Sequence, residues 1–200
     1  MKKILVALVS LFFCCVLFAQ QNPEGLFPGG KAPDFTAKDQ HGNEINLKDL
    51  AKQGPVVVVF YRGYWCPFCN RELKRLSDSL QLIKDKGATV VAISPETEAN
   101  IDTTIKKTGA EFSILHDKDL KIMKAYNVWF EVPENTVTRY RNTGIDLLKI
   151  NGTNGTNLPI PAIYIINKQR DIVWRFFETD YKKRPSVQSI LDGIDKIILK

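Results

Sequence analysis

Two hundred residues, 44% hydrophobic and 25% charged, are enough for one domain with a real core, and the mixture excludes disordered and fibrous classes. The formal charge of +6 is mild, and its cations are scattered among acids, as in Lys74, Arg75 and Asp78 or Lys84, Asp85 and Lys86. No basic stripe interleaved with glycine or aromatic residues appears, which argues against a nucleic-acid partner.

In chain order, residues 1–19 carry Lys2 and Lys3 and then an apolar run from Ile4 to Ala19, the layout of a secretory signal peptide. The expectation is export to a periplasmic or other extracytoplasmic space. Ile4–Ala19 is short against the roughly 20 apolar residues of a spanning helix. Leu17 is larger than a cleavage site prefers, so an uncleaved anchor, or a lipid on Cys14 or Cys15, is the alternative and the one expected tie to a membrane. Cleavage would take both lysines, bringing +6 down by two to +4, and would leave Cys66 and Cys69 as the only cysteines. Residues 20–30, rich in Gln, Asn, Pro and Gly, read as a flexible leader, and the domain proper as 31–200.

Two short alternating runs between Phe35 and Leu47 flank His41-Gly42-Asn43 and predict a hairpin, followed by a helical turn over Leu47–Lys52. Val56–Tyr61 is a continuous apolar run, as in a strand buried on both faces. From Pro67 to Lys86, Leu73, Leu76, Leu80 and Ile83 step by three and four and predict one helix, with Pro67 in its first turn and Gly87 at its end. A strand over Thr89–Ile93, a helix over Glu96–Lys107, a strand over Phe112–Leu115 and a helix capped by Asp117 and running to Tyr126 come next. Trp129–Leu158 reads as an insertion whose Asn151-Gly-Thr-Asn-Gly-Thr156 is turn-rich. Both Asn-Gly-Thr triplets match a glycosylation acceptor but are read as turns. Ala162–Ile166 and Asp171–Phe177 predict a strand pair, and Val187, Ile190, Leu191, Ile194, Ile197 and Ile198 one stripe of a last helix on the sheet. The fold class is α/β, with a central mixed sheet flanked by helices and an N-terminal hairpin.

Within this frame, Cys66-Pro-Phe-Cys69 follows a buried strand and opens a helix. Free N–H groups and the helix dipole stabilise a thiolate there, so Cys66 is the candidate nucleophile. Cys69, one turn later on the same face, is placed to capture its oxidised sulfur. A structural disulfide is the alternative, although so short a loop constrains the unfolded chain little. Two cysteines with the scattered His41 and His116 lack zinc-site spacing, and no haem or nucleotide motif appears, so no cofactor is expected.

The order of strand, Cys-x-x-Cys, helix, strand and helix, with Ile160-Pro161-Ala162 opening a late strand, resembles the thioredoxin fold. That resemblance implies a cis proline at Pro161 beside the active pair, receiving an extended substrate segment. Gly30-Lys-Ala-Pro33-Asp34-Phe35, Asp39-Gln-His-Gly42, Val91-Ala-Ile-Ser94-Pro-Glu96, Asp180-Tyr-Lys-Lys-Arg184-Pro185 and Tyr61-Arg-Gly-Tyr-Trp-Cys-Pro-Phe-Cys69 narrow it to the peroxiredoxin-like branch of the alkyl hydroperoxide reductase and thiol-specific antioxidant family. Such proteins place Pro seven and Thr or Ser three residues before the peroxidatic cysteine. Here those positions hold Val59 and Gly63, so the peroxide-orienting hydroxyl is missing. The arginine that serves the thiolate is expected to be Arg62 or Arg175, and Trp65 to shield the sulfur or dock an apolar partner segment.

Three functions follow. One is a thiol-dependent peroxidase in which Cys66 attacks peroxide, Cys69 resolves the product to a disulfide and an external dithiol, such as a thioredoxin-like protein, resets the pair. The second is an oxidoreductase acting on protein disulfides with the same two sulfurs. The third is a non-catalytic thioredoxin-fold binding module.

Overall fold

The computed structural model describes residues 22–198; the leader read over residues 1–19, with Cys14 and Cys15, lies outside them. In chain order the elements are β1 (Thr36–Lys38), β2 (Glu44–Asn46), α1 (Leu47–Gln53), β3 (Val56–Phe60), α2 (Pro67–Asp78), α3 (Leu80–Asp85), β4 (Thr89–Ser94) and α4 (Glu98–Thr108). They continue through β5 (Ser113–His116), α5 (Lys121–Ala125), β6 (Trp129–Glu131), α6 (Glu134–Asn142), α7 (Leu147–Asn151), β7 (Asn157–Pro159), β8 (Ala162–Ile166), β9 (Ile172–Phe177) and α8 (Val187–Ile198).

The central sheet has the order β5-β4-β3-β8-β9. β3 runs parallel to β4 and antiparallel to β8, so it is the hinge of a mixed sheet. All five of its residues are buried, which explains why Val56–Phe60 is apolar without alternation. Val57 and Val59 face one core with Leu73, Leu76, Ile83, Ile190 and Ile194. Val56, Val58 and Phe60 face a second, with Leu47, Leu115, Met123 and Tyr126. Helices α2 and α8 therefore cover one face, and α1, α5 and the hairpin the other. This is the thioredoxin-like α/β arrangement that the sequence implied.

Three details depart from expectation. The helix predicted over Pro67–Lys86 breaks at Ser79 (φ −107°, ψ 10°), and the break lets Leu80 and Ile83 join the same core as Leu73 and Leu76. Glu24–Gly30, expected within a flexible leader, is laid against the body. Gly25 N–H donates to Asn127 O at 2.9 Å, Gly29 N–H to Ile172 O at 2.8 Å and Leu26 N–H to the Tyr164 hydroxyl at 3.0 Å. Third, the peptide before Pro161 is trans rather than cis. The chain leaves β7 extended, with Ile160 N–H bonded to Val128 O at 2.7 Å, and runs directly into β8.

The insertion over 129–158 is a folded arm, β6-α6-α7-β7, with its own small core of Val132, Val137, Leu147 and Leu158. Its asparagines anchor it. Asn154 Nδ2 donates to Pro95 O at 2.8 Å and Asp117 O at 3.0 Å, and Asn151 Nδ2 to Gly155 O and Asn157 O, both at 3.0 Å. Both side chains are buried and committed to the backbone, which supports reading the two Asn-Gly-Thr triplets as turns.

Candidate active site

Cys66 occupies the position that caps α2: its backbone is extended, Pro67 follows in the first turn and Sγ accepts from Cys69 N–H at 3.4 Å. A cap takes the negative end of a group most readily, because the first helical N–H groups have no partner of their own. Cys69, one turn on, puts its sulfur 2.7 Å from that of Cys66 and donates to it, both cysteines being free thiols. The thiols are almost wholly covered, at 1% and 0% exposure. Hydrogen bonding from the Cys69 thiol, opposed by burial and helped by the Arg62 guanidinium, the Cys69 N–H and Arg184, lowers the Cys66 thiol to about 6. Burial, together with the bond and charge of Cys66, pushes Cys69 well up. One sulfur is therefore a thiolate at neutral pH and its neighbour holds the proton.

Arg62 is close enough for its charge to act on Cys66. It is only 4% exposed, its Nη2 donates to the Tyr140 hydroxyl, and its Nε is a buried donor without a partner among the described residues. Trp65 packs against both the cysteine-bearing core and the core of the insertion. Arg175 is elsewhere, which corrects its assignment to the thiolate. From β9 its Nη1 donates to Glu24 O at 3.0 Å and Leu26 O at 2.9 Å, and its guanidinium stacks 4.0 Å from the Phe27 ring. Its register on β9, opposite Tyr164, points it at the N-terminal segment. Pro161 is buried at the entry to β8.

The second cation is Arg184, in the segment before α8. Nη2 reaches Cys69 Sγ at 3.4 Å and Nε reaches Glu72 Oε2 at 2.6 Å. Backbone carbonyls of Tyr181 and Lys183 accept from Nη1, both at 2.6 Å. Burial pushes Glu72 up to about 7 against the pull of Arg184. Burial also opposes the guanidinium's charge, but Glu72 and the two sulfurs outweigh it and raise Arg184. Sequence reading missed this pair, although Glu72 was visible as one acid in the stripe Cys69, Leu73, Leu76 that otherwise reads as core.

A further buried acid holds the loop from β3 to Cys66. Glu96 accepts from the hydroxyls of Tyr61 (3.0 Å), Thr104 (3.0 Å) and Ser94 (3.3 Å) and from Tyr64 N–H. Burial lifts it to about 7 despite these donors. With a folded value above the unfolded 4.5, the protonated folded form is favoured, so this contribution to stability is full below about pH 4.5 and is lost as pH rises through 7. Urea unfolding of wild type and Glu96→Gln should show it. The wild-type advantage over the variant is expected to shrink by on the order of 3 kcal/mol from pH 4.5 to 8, and a pH-independent difference would refute the assignment.

Residues 28–175 match the AhpC/TSA family. A thiol-disulfide oxidoreductase ResA of Bacillus cereus is 33% identical over 135 residues, covering 64% of this chain and 77% of that protein. A putative peroxiredoxin of Mycobacterium tuberculosis is 33% identical over 106 residues, 53% of this chain and 67% of its own. Among solved structures, the peroxidoxin BcpB of Mycobacterium tuberculosis superposes with a TM-score of 0.65 at 19% identity, covering 85% of this chain and 97% of that one, a likeness of fold.

Proposed function

The chain belongs to the AhpC/TSA family, and we propose that this member is an exported thiol-dependent peroxidase, with Cys66 attacking and Cys69 resolving. That it is a thiol-dependent oxidoreductase follows from its relatives of both kinds. The choice of peroxide rests on one observation: Cys66 is 1% exposed, a depth that a molecule of two heavy atoms reaches more readily than the disulfide of a folded protein.

In the first step the Cys66 thiolate attacks the terminal oxygen of ROOH. The S–O bond forms, the O–O bond breaks, and the alkoxide leaves and takes up a proton as ROH. Cys66 is then a sulfenic acid, oxidised by two electrons. In the second step the Cys69 sulfur attacks that of Cys66. The disulfide forms, and the S–O bond breaks with loss of hydroxide, which leaves as water with the Cys69 proton. Arg184, held by Glu72 at 2.6 Å and 3.4 Å from Cys69 Sγ, favours the charged form of the Cys69 sulfur as that proton leaves. An external dithiol, such as a thioredoxin-like protein, returns the pair to the reduced state by exchange. Arg62, whose charge acts on the Cys66 sulfur, stabilises the negative charge on the attacking sulfur.

The second reading, reduction or oxidation of a partner protein's disulfide, is favoured by the Cys-x-x-Cys spacing and by the ResA relative. Both readings use an active Cys66, whereas a binding module with an inert disulfide is opposed by the free, acidified thiol. Stopped-flow oxidation of the reduced protein by hydrogen peroxide, followed by tryptophan fluorescence with Cys66→Ser as control, separates them. We expect oxidation at least about a hundredfold faster than a free thiolate of similar pKa, the scale of positioned catalysis, and its complete loss in the variant. Oxidation no faster than the free thiolate, with rapid reduction of a model protein disulfide, would overturn the peroxide reading.

A further inference from the structure

The Arg62 guanidinium is enclosed by aromatic rings from three separate parts of the chain. Its Cζ lies 4.6 Å from the Trp65 ring centre, 4.3 Å from that of Tyr181 and 5.7 Å from that of Tyr140, all within cation–π range. Trp65 comes from the loop that delivers Cys66, Tyr140 from α6 of the insertion and Tyr181 from the segment that also carries Arg184. The rings support one another: Trp65 and Tyr140 centres are 5.2 Å apart, and Tyr181 meets Phe68, inside the Cys66-x-x-Cys69 pair, edge to face at 5.8 Å. The Tyr140 hydroxyl accepts from Arg62 Nη2 as well. Tyr181 is the outermost member, 38% exposed, over an arginine that is 4% exposed and whose charge acts on Cys66, itself 1% exposed.

We propose that this aromatic clamp on Arg62 is a size filter over Cys66, so that the site admits hydrogen peroxide and the smallest hydroperoxides and turns away bulky alkyl hydroperoxides and folded protein disulfides. The proposal rests on the peroxidase reading for its choice of substrate, but the filter is a property of access alone. Two features make it a selector. The insertion is anchored to the ends of β4 and β5 through Asn154, so Tyr140 stands on a fixed wall. Tyr181 sits on a loop whose chain is held by Arg184 through the Tyr181 and Lys183 carbonyls. To pass this clamp towards Cys66, a large reagent must break cation–π contacts and part the Tyr181–Phe68 pair together, whereas a small one need not.

The test uses two pairs of probes on the reduced full chain. Alkylation by iodoacetamide and by a pyrene maleimide compares small and bulky electrophiles without any peroxide chemistry; hydrogen peroxide and cumene hydroperoxide compare small and bulky oxidants. Each rate is taken relative to the same reagent on a free thiol. In wild type the small reagent of each pair is expected to be favoured by about tenfold or more, the discrimination that a shaped pocket gives. Tyr181→Ala should bring both ratios to within about threefold of unity, the remainder of such a preference once a wall is removed. Tyr140→Ala should do the same, and Tyr140→Phe, which keeps the ring, should hold the wild-type ratios. Because Tyr181 is exposed and on a loop, its variant keeps the test decisive if Tyr140→Ala does not fold. Unchanged ratios in Tyr181→Ala, or no size preference in wild type, would overturn the filter. Slow reaction with both peroxides alongside a clear alkylation preference would instead sink the peroxidase reading and leave the filter standing.

Discussion

Arg184→Met is expected to destabilise the protein by about 3–5 kcal/mol at pH 8, the usual cost of removing one partner from a buried ion pair. Arg184 and Glu72 meet at 2.6 Å with side chains 4% and 5% exposed, and Glu72 Oε1 already lacks a partner among the described residues. Without the guanidinium, burial and the Cys66 charge raise the carboxyl against Arg75 alone, so its pKa moves further up and it is protonated on folding. The sign follows from that shift: a carboxyl raised in the folded state binds a proton that the unfolded chain releases, so the variant's stability falls as pH rises. The deficit measured by urea unfolding should therefore be smaller at pH 6 than at pH 8. Arg184→Met with Glu72→Gln should recover most of the loss, because a neutral amide in place of the orphan charge removes the larger penalty. A single variant within about 1 kcal/mol of wild type at both pH values, the range of an exposed pair, would show that the bridge contributes little. The variant also strips Cys69 of its Nη2 contact. Resolution of the sulfenic acid should slow more than its formation, which single-turnover kinetics would separate.

This pair also marks where the sequence stops being readable. What was legible was local: a buried strand as an unbroken apolar run, a cysteine at a cap followed by proline, a hairpin around His41-Gly42-Asn43. Each follows from contacts within a turn or two of helix or strand. Arg184 stands 115 residues from the sulfur that it touches, and Tyr140 stands 78 from Arg62. Only the folding of the insertion and the turn before α8 brings them in, and no periodicity announces that. Arg175 shows the opposite error. An arginine on a late strand was expected near the thiolate, but period-two alternation makes the outcome depend on register and face, and β9 turns Arg175 to Glu24 and Leu26 instead. Glu72 and Glu96 carried a fainter signal, an acid inside an apolar helical stripe and an acid just beyond a buried strand. Such residues are seldom buried without partners, so they deserve weight wherever they interrupt a core pattern.

Gly63 carries the other large effect. It stands where the peroxiredoxins that the chain resembles carry a threonine or serine, and under the peroxidase proposal a hydroxyl there would be a direct route to faster peroxide chemistry. The backbone rules it out. Gly63 has φ +143°, a region that residues with a side chain rarely adopt. A Cβ built there would lie 2.7 Å from Trp65 Nε1 and 3.0 Å from Glu96 Oε1. The strain costs about 1–3 kcal/mol and the crowding a similar amount, so Gly63→Thr should lose about 2–6 kcal/mol of stability. The displaced groups matter as much as the energy. Trp65 is one wall of the Arg62 clamp and Glu96 holds Tyr64 N–H, so the loop that sets Arg62 and Cys66 must shift. We expect Gly63→Thr to react with hydrogen peroxide more slowly than wild type, with the Cys66 thiol moved up towards the ordinary range as Arg62 loses its placement. Gly63→Ala, which adds the Cβ without the hydroxyl, should lose nearly as much, because the clash lies at Cβ. A Gly63→Thr protein as stable as wild type and faster with peroxide would mean that the loop has room for the hydroxyl, and that orientation of the peroxide, rather than placement of Arg62, limits the rate.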